Sequence, residues 1–232
     1  MTTKTKKKRR KAMGLRIFDT REEWLEARQG RIGGSDAGCI LGLNPWKSNT
    51  QLFAEKMGKA EPADLSDNPL VQYGIAAEPH IRALFALDHP ELSVWYEENN
   101  MFLNDEYPWA HYSADGLLED QSTGEEGILE IKTATIQSAA ASEKWKDGRI
   151  PDSYYAQVLH SMAVTDATFA YIRALIHYPR NDGADLISIK DYEIRITDPG
   201  IAEEIKSLMQ KEREFYEYIK TDTEPPLILP SI

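Results

Sequence analysis

Gly127-Ile128-Leu129-Glu130-Ile131-Lys132-Thr133 is the stretch that decides the fold of this chain. Its aliphatic and β-branched residues predict a strand over 127–134. Strand alternation then puts Leu129 and Ile131 on one face and Glu130 with Lys132 on the other. The strand is otherwise apolar, which predicts a central place in a sheet. A carboxylate and an ammonium there are costly unless they have partners or a task.

The preceding strand is expected over Trp109–Leu118, interrupted or ended by Asp115 in Ser113-Ala114-Asp115-Gly116. The acidic turn Glu119–Glu126 joins the two strands as a hairpin, which brings Asp115 beside Glu130. Two adjacent carboxylates repel unless a cation lies between them. Mg²⁺ prefers carboxylate and water oxygens, so it is the natural occupant, as one ion or two. Such ions polarise a scissile phosphate and acidify water, and Lys132 would orient that water or steady developing negative charge. The spacing alone equally allows a hairpin with a cross-strand salt bridge.

Other residues fit around this pair. A helix is expected over Leu70–Leu87, with Leu70, Ile75, Ile81, Leu84 and Phe85 as its apolar positions. Glu78 falls in its middle beside Pro79, which frees a carbonyl and often kinks a helix. Glu78 is either a site carboxylate or a solvated helical residue. Gln157 lies on a helix that Pro151 opens at its first position. Its amide could position a phosphate oxygen or a water, or simply face solvent. His160, one turn on, reads as an ordinary helix histidine, and His111 and Tyr112 are ambiguous. A helix capped by Asp19 or Thr20 carries Trp24 and Arg28. Gly33-Gly34 reads as a tight turn, with Ser35 as the N-cap of a short helix through Leu41. Arg28 and Ser35 together could bind a phosphate, or be a surface ion pair and a cap.

The remaining elements are a helix over Thr50–Met57, strands over Ser93–Glu97 and Met101–Leu103, and a helix over Ser138–Trp145. Strands over Thr168–His177 and Leu186–Thr197 and a long helix over Pro199–Ile219 follow. This order predicts an α/β (α+β) fold, a central mixed sheet flanked by helices. Residues 14–232 read as one domain with a C-terminal helix. The apolar tail Pro225–Pro230 needs a groove, on this chain or a neighbour. Residues 1–13 read as a disordered basic arm, either a plain solvated tail or a phosphate-binding segment.

The chain has 232 residues, with 27 cations against 38 acids for a net charge of −11. Phosphate contacts need cations, so this balance looks wrong for DNA unless cations line one channel while some acids hold metal. Composition thus neither supports nor excludes a nucleic-acid substrate. The single cysteine, Cys39, excludes an intrachain disulfide and a four-cysteine zinc or iron–sulfur site. It fits a cytoplasmic protein and reads as a buried small hydrophobe. No apolar run is long enough for a membrane span.

Taken together, these pieces resemble the YqaJ-type viral recombinase family, which includes phage lambda exonuclease and lies in the PD-(D/E)xK nuclease superfamily. The resemblance runs from Trp24 to about Ala174. It rests on Trp24-x3-Arg28, Arg31-Ile32-Gly33-Gly34-Ser35-Asp36, Leu41-Gly42-Leu43-Asn44-Pro45-Trp46, Gly74-x3-Glu78-Pro79, Asp115-Gly116, Leu129-Glu130-Ile131-Lys132-Thr133 and Tyr155-Ala156-Gln157. Ala114 stands where the superfamily pattern has proline. The resemblance implies a restriction-endonuclease-like core and a Mg²⁺-dependent exonuclease, Mn²⁺ being an alternative ion. Such an enzyme degrades one strand of duplex DNA from the 5′ end and leaves 3′ single-stranded tails. By match, Asp115, Glu130 and the Ile131 carbonyl would hold two metal ions and Lys132 would assist the attacking water. Glu78 and Gln157 would complete the site, and Arg28 with Ser35 would hold the 5′-phosphate. Relatives are often ring-shaped trimers that work with a RecT- or Red-beta-like single-strand annealing protein. The alternatives are a restriction-type endonuclease, which would cut a closed circle, and a non-enzymatic DNA-binding accessory protein.

Overall fold

A computed structural model describes residues 14–180 and 183–229; the basic arm expected over 1–13 lies outside the described residues. The described residues begin with β1 (Leu15–Ile17), α1 (Arg21–Arg28), β2 (Ile32–Gly33), α2 (Gly34–Ile40), α3 (Asn49–Lys56) and α4 (Pro69–Asp88). Strands β3 (Leu92–Trp95), β4 (Asn100–Phe102), β5 (Ala110–His111), β6 (Gly116–Asp120) and β7 (Glu126–Thr135) follow. Then come α5 (Ala139–Glu143), α6 (Asp152–Thr165), β8 (Phe169–Tyr178), β9 (Leu186–Arg195) and α7 (Ile201–Thr221).

The main sheet has the order β3-β6-β7-β8-β9. Only β7 and β8 run parallel, joined by the crossover through α5 and α6, and the other pairs are antiparallel. The mixed sheet follows from connection length: a short turn can only make an antiparallel neighbour, whereas a parallel one needs a helical crossover. Gly127 lets β7 pass under Phe169 of β8, since a Cβ there would stand 2.4 Å from the ring.

Alternation in β7 divides the core in two. Leu129 and Ile131 pack with Ile81 and Phe85 of α4, together with Leu92, Leu118 and Phe169. Ile128 lies in the larger core with Ala170, Ile172 and Ala174 of β8 and with α6 and α7. Glu130 and Lys132 therefore point toward α6. Helix α7 closes this layer through Ile201, Ile205, Leu208, Met209 and Phe215, a stripe at helical spacing.

Several local expectations are corrected. The stretch Trp109–Leu118 is not one strand, because residues 113–115 leave the sheet and are bonded elsewhere. Only Ile81 and Phe85 of α4 are buried, while Leu70, Ile75 and Leu84 are exposed; the first turns of the helix meet the sheet through Tyr73, whose hydroxyl bonds His177 Nε2 of β8 at 3.1 Å, and through Gly74, beside Thr133 of β7. Ser35 is not a cap: Gly33 precedes α2, and Asp36 Oδ2 accepts from the Gly33 N–H at 2.9 Å. The glycine pair makes no left-handed turn, since Gly33 is extended (φ −101°). Its service is close approach, because a Cβ at Gly34 would meet Gln157 Cγ of α6 at 3.0 Å. Pro151 is the residue before α6 rather than its first. The tail through Leu229 is extended along its own chain, where Asn49 bonds Pro226 O at 2.7 Å and the Ile228 N–H at 2.9 Å. Leu227 and Leu229 stay exposed.

Candidate active site

The pairing of β6 with β7 ends at Gly116 opposite Leu129. One residue earlier the backbone turns out of the ladder, and the Asp115 side chain takes over as acceptor. Its Oδ2 receives the Ile131 N–H at 2.8 Å. This places Asp115 against Glu130, as the hairpin predicted. Burial, then the Glu130 charge, pushes the Asp115 carboxyl well above the usual carboxylate range.

Glu130 is 2% exposed, and both its oxygens are held. Oε1 accepts from Lys132 Nζ at 2.8 Å and from Gln157 Nε2. Oε2 accepts from the buried Tyr112 hydroxyl at 3.1 Å. Gln157 Oε1 accepts a second Lys132 proton at 2.8 Å, so Glu130, Lys132 and Gln157 form a closed triangle. The Lys132 ammonium also lies 4.8 Å from the centre of the Tyr154 ring. Burial alone would lower the Lys132 pKa, but Glu130 and Asp115 outweigh it and hold the ammonium above its ordinary value.

Glu78 approaches from α4, half-buried. Burial raises its carboxyl, with Arg82 opposing and Glu130 adding to the rise. Arg82 donates to Glu78 Oε1 through Nη2 and to the Asp115 carbonyl through Nε. Its guanidinium lies 3.8 Å from the centre of the Tyr96 ring. The kink expected from Pro79 does not end the helix, which runs on from Pro69 to Asp88.

Among the described residues no hydrogen bond or ion pair is seen between Arg28 and Ser35. Arg28 lies over the Trp24 ring at 4.2 Å, while Ser35 is exposed in the first turn of α2. Trp24 Nε1 in turn bonds Asn100 O at 2.9 Å and Ser113 Oγ at 3.1 Å, two residues from Asp115. His160, one turn from Gln157 on α6, is fully buried. Its Nδ1 bonds Glu212 Oε1 at 2.7 Å and its Nε2 bonds His111 O at 2.9 Å, so it is structural. His111 is also buried, which, with Arg28 next, depresses its ring to about 2. Cys39 is buried, and burial pushes its thiol up to about 11.

The residues that sequence reasoning missed are Arg82, Tyr96, Tyr154 and Asn100. Arg82 had a signal, since it stands one turn from Glu78 at i+4. Tyr154 had the same kind of signal, one turn before Gln157 on α6, whereas Tyr96 and Asn100 depend on pairings between separate segments. Among the described residues no three acids, histidines or cysteines converge into a ready-made metal cage. Mg²⁺ does not need one, because one or two carboxylates, with waters and substrate phosphates, are its usual set. Asp115 and Glu130 fit that requirement, as two adjacent carboxylates whose repulsion a divalent cation would relieve.

The family model for the YqaJ-like viral recombinase domain matches residues 23–168, a range that holds every candidate above. "Uncharacterized protein YqaJ" of Bacillus subtilis (strain 168) is 33% identical over 159 residues, 68% of this chain and 47% of that protein. The chain thus spans about half the length of that relative. The crystal structure of an alkaline exonuclease (LHK-Exo) from Laribacter hongkongensis matches with a TM-score of 0.56 at 20% identity, over 87% of this chain and 97% of that one. The same enzyme in complex with dAMP matches with a TM-score of 0.57 at 21% identity, over 86% and 95%. These likenesses show a fold shared with that exonuclease, the mixed α/β sheet flanked by helices that the sequence predicted.

Proposed function

The chain belongs to the YqaJ-like viral recombinase family, and from that premise we propose that it is a Mg²⁺-dependent exonuclease. It digests one strand of linear duplex DNA from the 5′ end and leaves 3′ single-stranded tails for annealing. The observation that carries this reading is the mutually bonded set of Glu130, Lys132 and Gln157 midway along β7, with Asp115 beside it on the Ile131 N–H. A cross-strand salt bridge alone has no use for a second buried acid whose proton affinity is raised by the first.

Asp115 and Glu130, with the Ile131 carbonyl, would hold Mg²⁺, with Mn²⁺ able to replace it and room for two ions in the proposal. When bound, the ion supplies Lewis-acid polarisation of the scissile phosphate and acidifies water. The rest falls to the chain's own groups. Lys132 stays protonated and brings a fixed positive charge to where negative charge develops on the phosphate oxygens. Gln157 bonds both Lys132 and Glu130 and so fixes their separation. Glu78, with its raised carboxyl, is suited to take a proton from attacking water. Arg28, stacked on Trp24, and the exposed Ser35 would receive the 5′-terminal phosphate.

The dAMP bound by LHK-Exo supports a nucleotide-sized site in this fold. The partner is expected to be a single-strand annealing protein, and the assembly a ring of three subunits. In such a ring cations could face the DNA while acids face outward, consistent with −11 overall. Among the described residues no helix is long and apolar enough to cross a membrane. The test is a time course on end-labelled linear duplex with Mg²⁺, with and without a 5′-phosphate, beside a closed circle. Release of 5′-labelled mononucleotides from linear DNA is expected. Cutting of the circle would replace this reading with an endonuclease.

A further inference from the structure

Asp115 does its work only if the backbone before it is held off the sheet in one conformation. Three groups hold it. Trp24 Nε1 bonds Ser113 Oγ at 3.1 Å. The Asn100 side chain bonds Ala114 twice: its Oδ1 accepts the Ala114 N–H at 2.7 Å, and its Nδ2 donates to the Ala114 carbonyl at 2.9 Å. The Asp115 carbonyl accepts from Arg82. Asn100 is 4% exposed, and its second amide proton goes to Glu97 O at 2.9 Å. Every donor and acceptor of this buried amide is therefore committed, and two of its three bonds serve a single residue. One amide gripping both backbone polar groups of one residue leaves Ala114 no freedom to rotate without orphaning buried groups.

We propose that Asn100 is a positioning residue for Asp115, its amide fixing the Ala114 backbone as a proline ring would. This rests on the nuclease reading of the site. The geometry gives it a reciprocal form. Oδ1 stands 2.7 Å from the Ala114 nitrogen, in the space that the ring of a proline at 114 would occupy. The amide and the ring are therefore alternatives that exclude each other. Ala114 is not among the positive-φ residues, so a proline at 114 avoids the left-handed region, where its ring cannot go.

The probe is Mn²⁺ alone, its free concentration read by electron paramagnetic resonance, on the full chain without DNA and below the melting temperature of each variant. Asn100→Ala should weaken Mn²⁺ binding by roughly 10- to 100-fold, the usual effect of removing a group that orients a ligand. Ala114→Pro alone should weaken it too, by collision with Oδ1. The double variant Asn100→Ala/Ala114→Pro should bind Mn²⁺ more tightly than either single variant, a coupling that independent defects do not give. A purely structural Asn100 predicts a lower melting temperature with unchanged Mn²⁺ affinity, and that result overturns the proposal. A double variant that unfolds, or binds no better than the single ones, overturns it as well. A wild-type chain that binds no Mn²⁺ overturns the nuclease reading itself, and that outcome is separate from the others.

Discussion

Tyr112→Phe removes one oxygen and leaves the ring in place, so it isolates how Glu130 is held. Tyr112 and Glu130 are each 2% exposed, and their bond is 3.1 Å long. A hydrogen bond to a charged group contributes about 1.5–3 kcal/mol. Phenylalanine leaves Oε2 without the Tyr112 donor, but the other Glu130 oxygen keeps its bonds to Lys132 and Gln157, so the lower end applies here. A loss of about 1.5 kcal/mol lowers the melting temperature by roughly 3–6 °C for a chain of this size. The catalytic consequence is separate. With Oε2 released, the carboxylate can rotate, and the Mg²⁺ needed for half-maximal hydrolysis should rise by about 10-fold or more. Thermal unfolding by circular dichroism in EDTA reads the first effect, and a Mg²⁺ titration of hydrolysis reads the second. If melting temperature and Mg²⁺ requirement both match the wild type, Tyr112 does not orient Glu130 and the reasoning fails.

Three further outcomes are expected. Lys132→Met should cut hydrolysis by about 10²-fold or more, as loss of a charge-stabilising donor does, while duplex binding in EDTA stays near wild type; full activity would remove Lys132 from the site. Arg28→Ala should abolish any preference for 5′-phosphorylated over 5′-hydroxyl ends in a competition digest, with the rate on hydroxyl ends little changed; a preserved preference would separate Arg28 from end recognition. His160 gives a pH test. Burial lowers its pKa, but Glu212 outweighs this and the net shift is upward. A group whose folded pKa is raised contributes stability fully present below its unfolded value, near 6.5. That contribution is lost as pH rises through the folded value. The stability gap between wild type and His160→Gln should therefore narrow above about pH 6.5, read by urea denaturation, and a gap constant with pH would refute it.

The features legible in the sequence were those set by short-range periodicity. The two faces of β7 followed from alternation alone, and the hairpin turn then fixed Asp115 beside Glu130. Helix α7 was legible as a long charged segment, and its buried residues turn out to form a stripe at helical spacing. Where periodicity and packing diverged, the reading failed. Leu70, Ile75 and Leu84 lie in an apolar pattern on α4, yet only Ile81 and Phe85 of that helix are buried, and its first turns meet the sheet through Tyr73 and Gly74 instead. Gly33-Gly34 has the composition of a turn, but the determining fact is the neighbouring surface of α6, which no local pattern encodes.

The same distinction explains which parts of the site were visible. A carboxylate that meets a metal or phosphate has a residue type that announces the chemistry, so Asp115, Glu130 and Lys132 could be picked from one hairpin. The groups that aim those carboxylates have no such mark. Tyr112 reaches Glu130 because Phe102 pairs with Tyr112 across to β4, which sets where β5 lies. Asn100 reaches Ala114 through that same pairing, since it starts β4 two residues before Phe102. Both contacts are set by one register between segments that the sequence keeps apart. A one-residue slip there would turn each side chain to the opposite face and leave Glu130 and Asp115 with the right identity and the wrong orientation. The register of β4 is therefore as much a determinant of the proposed chemistry as the acids themselves, although no residue in β4 would touch the substrate.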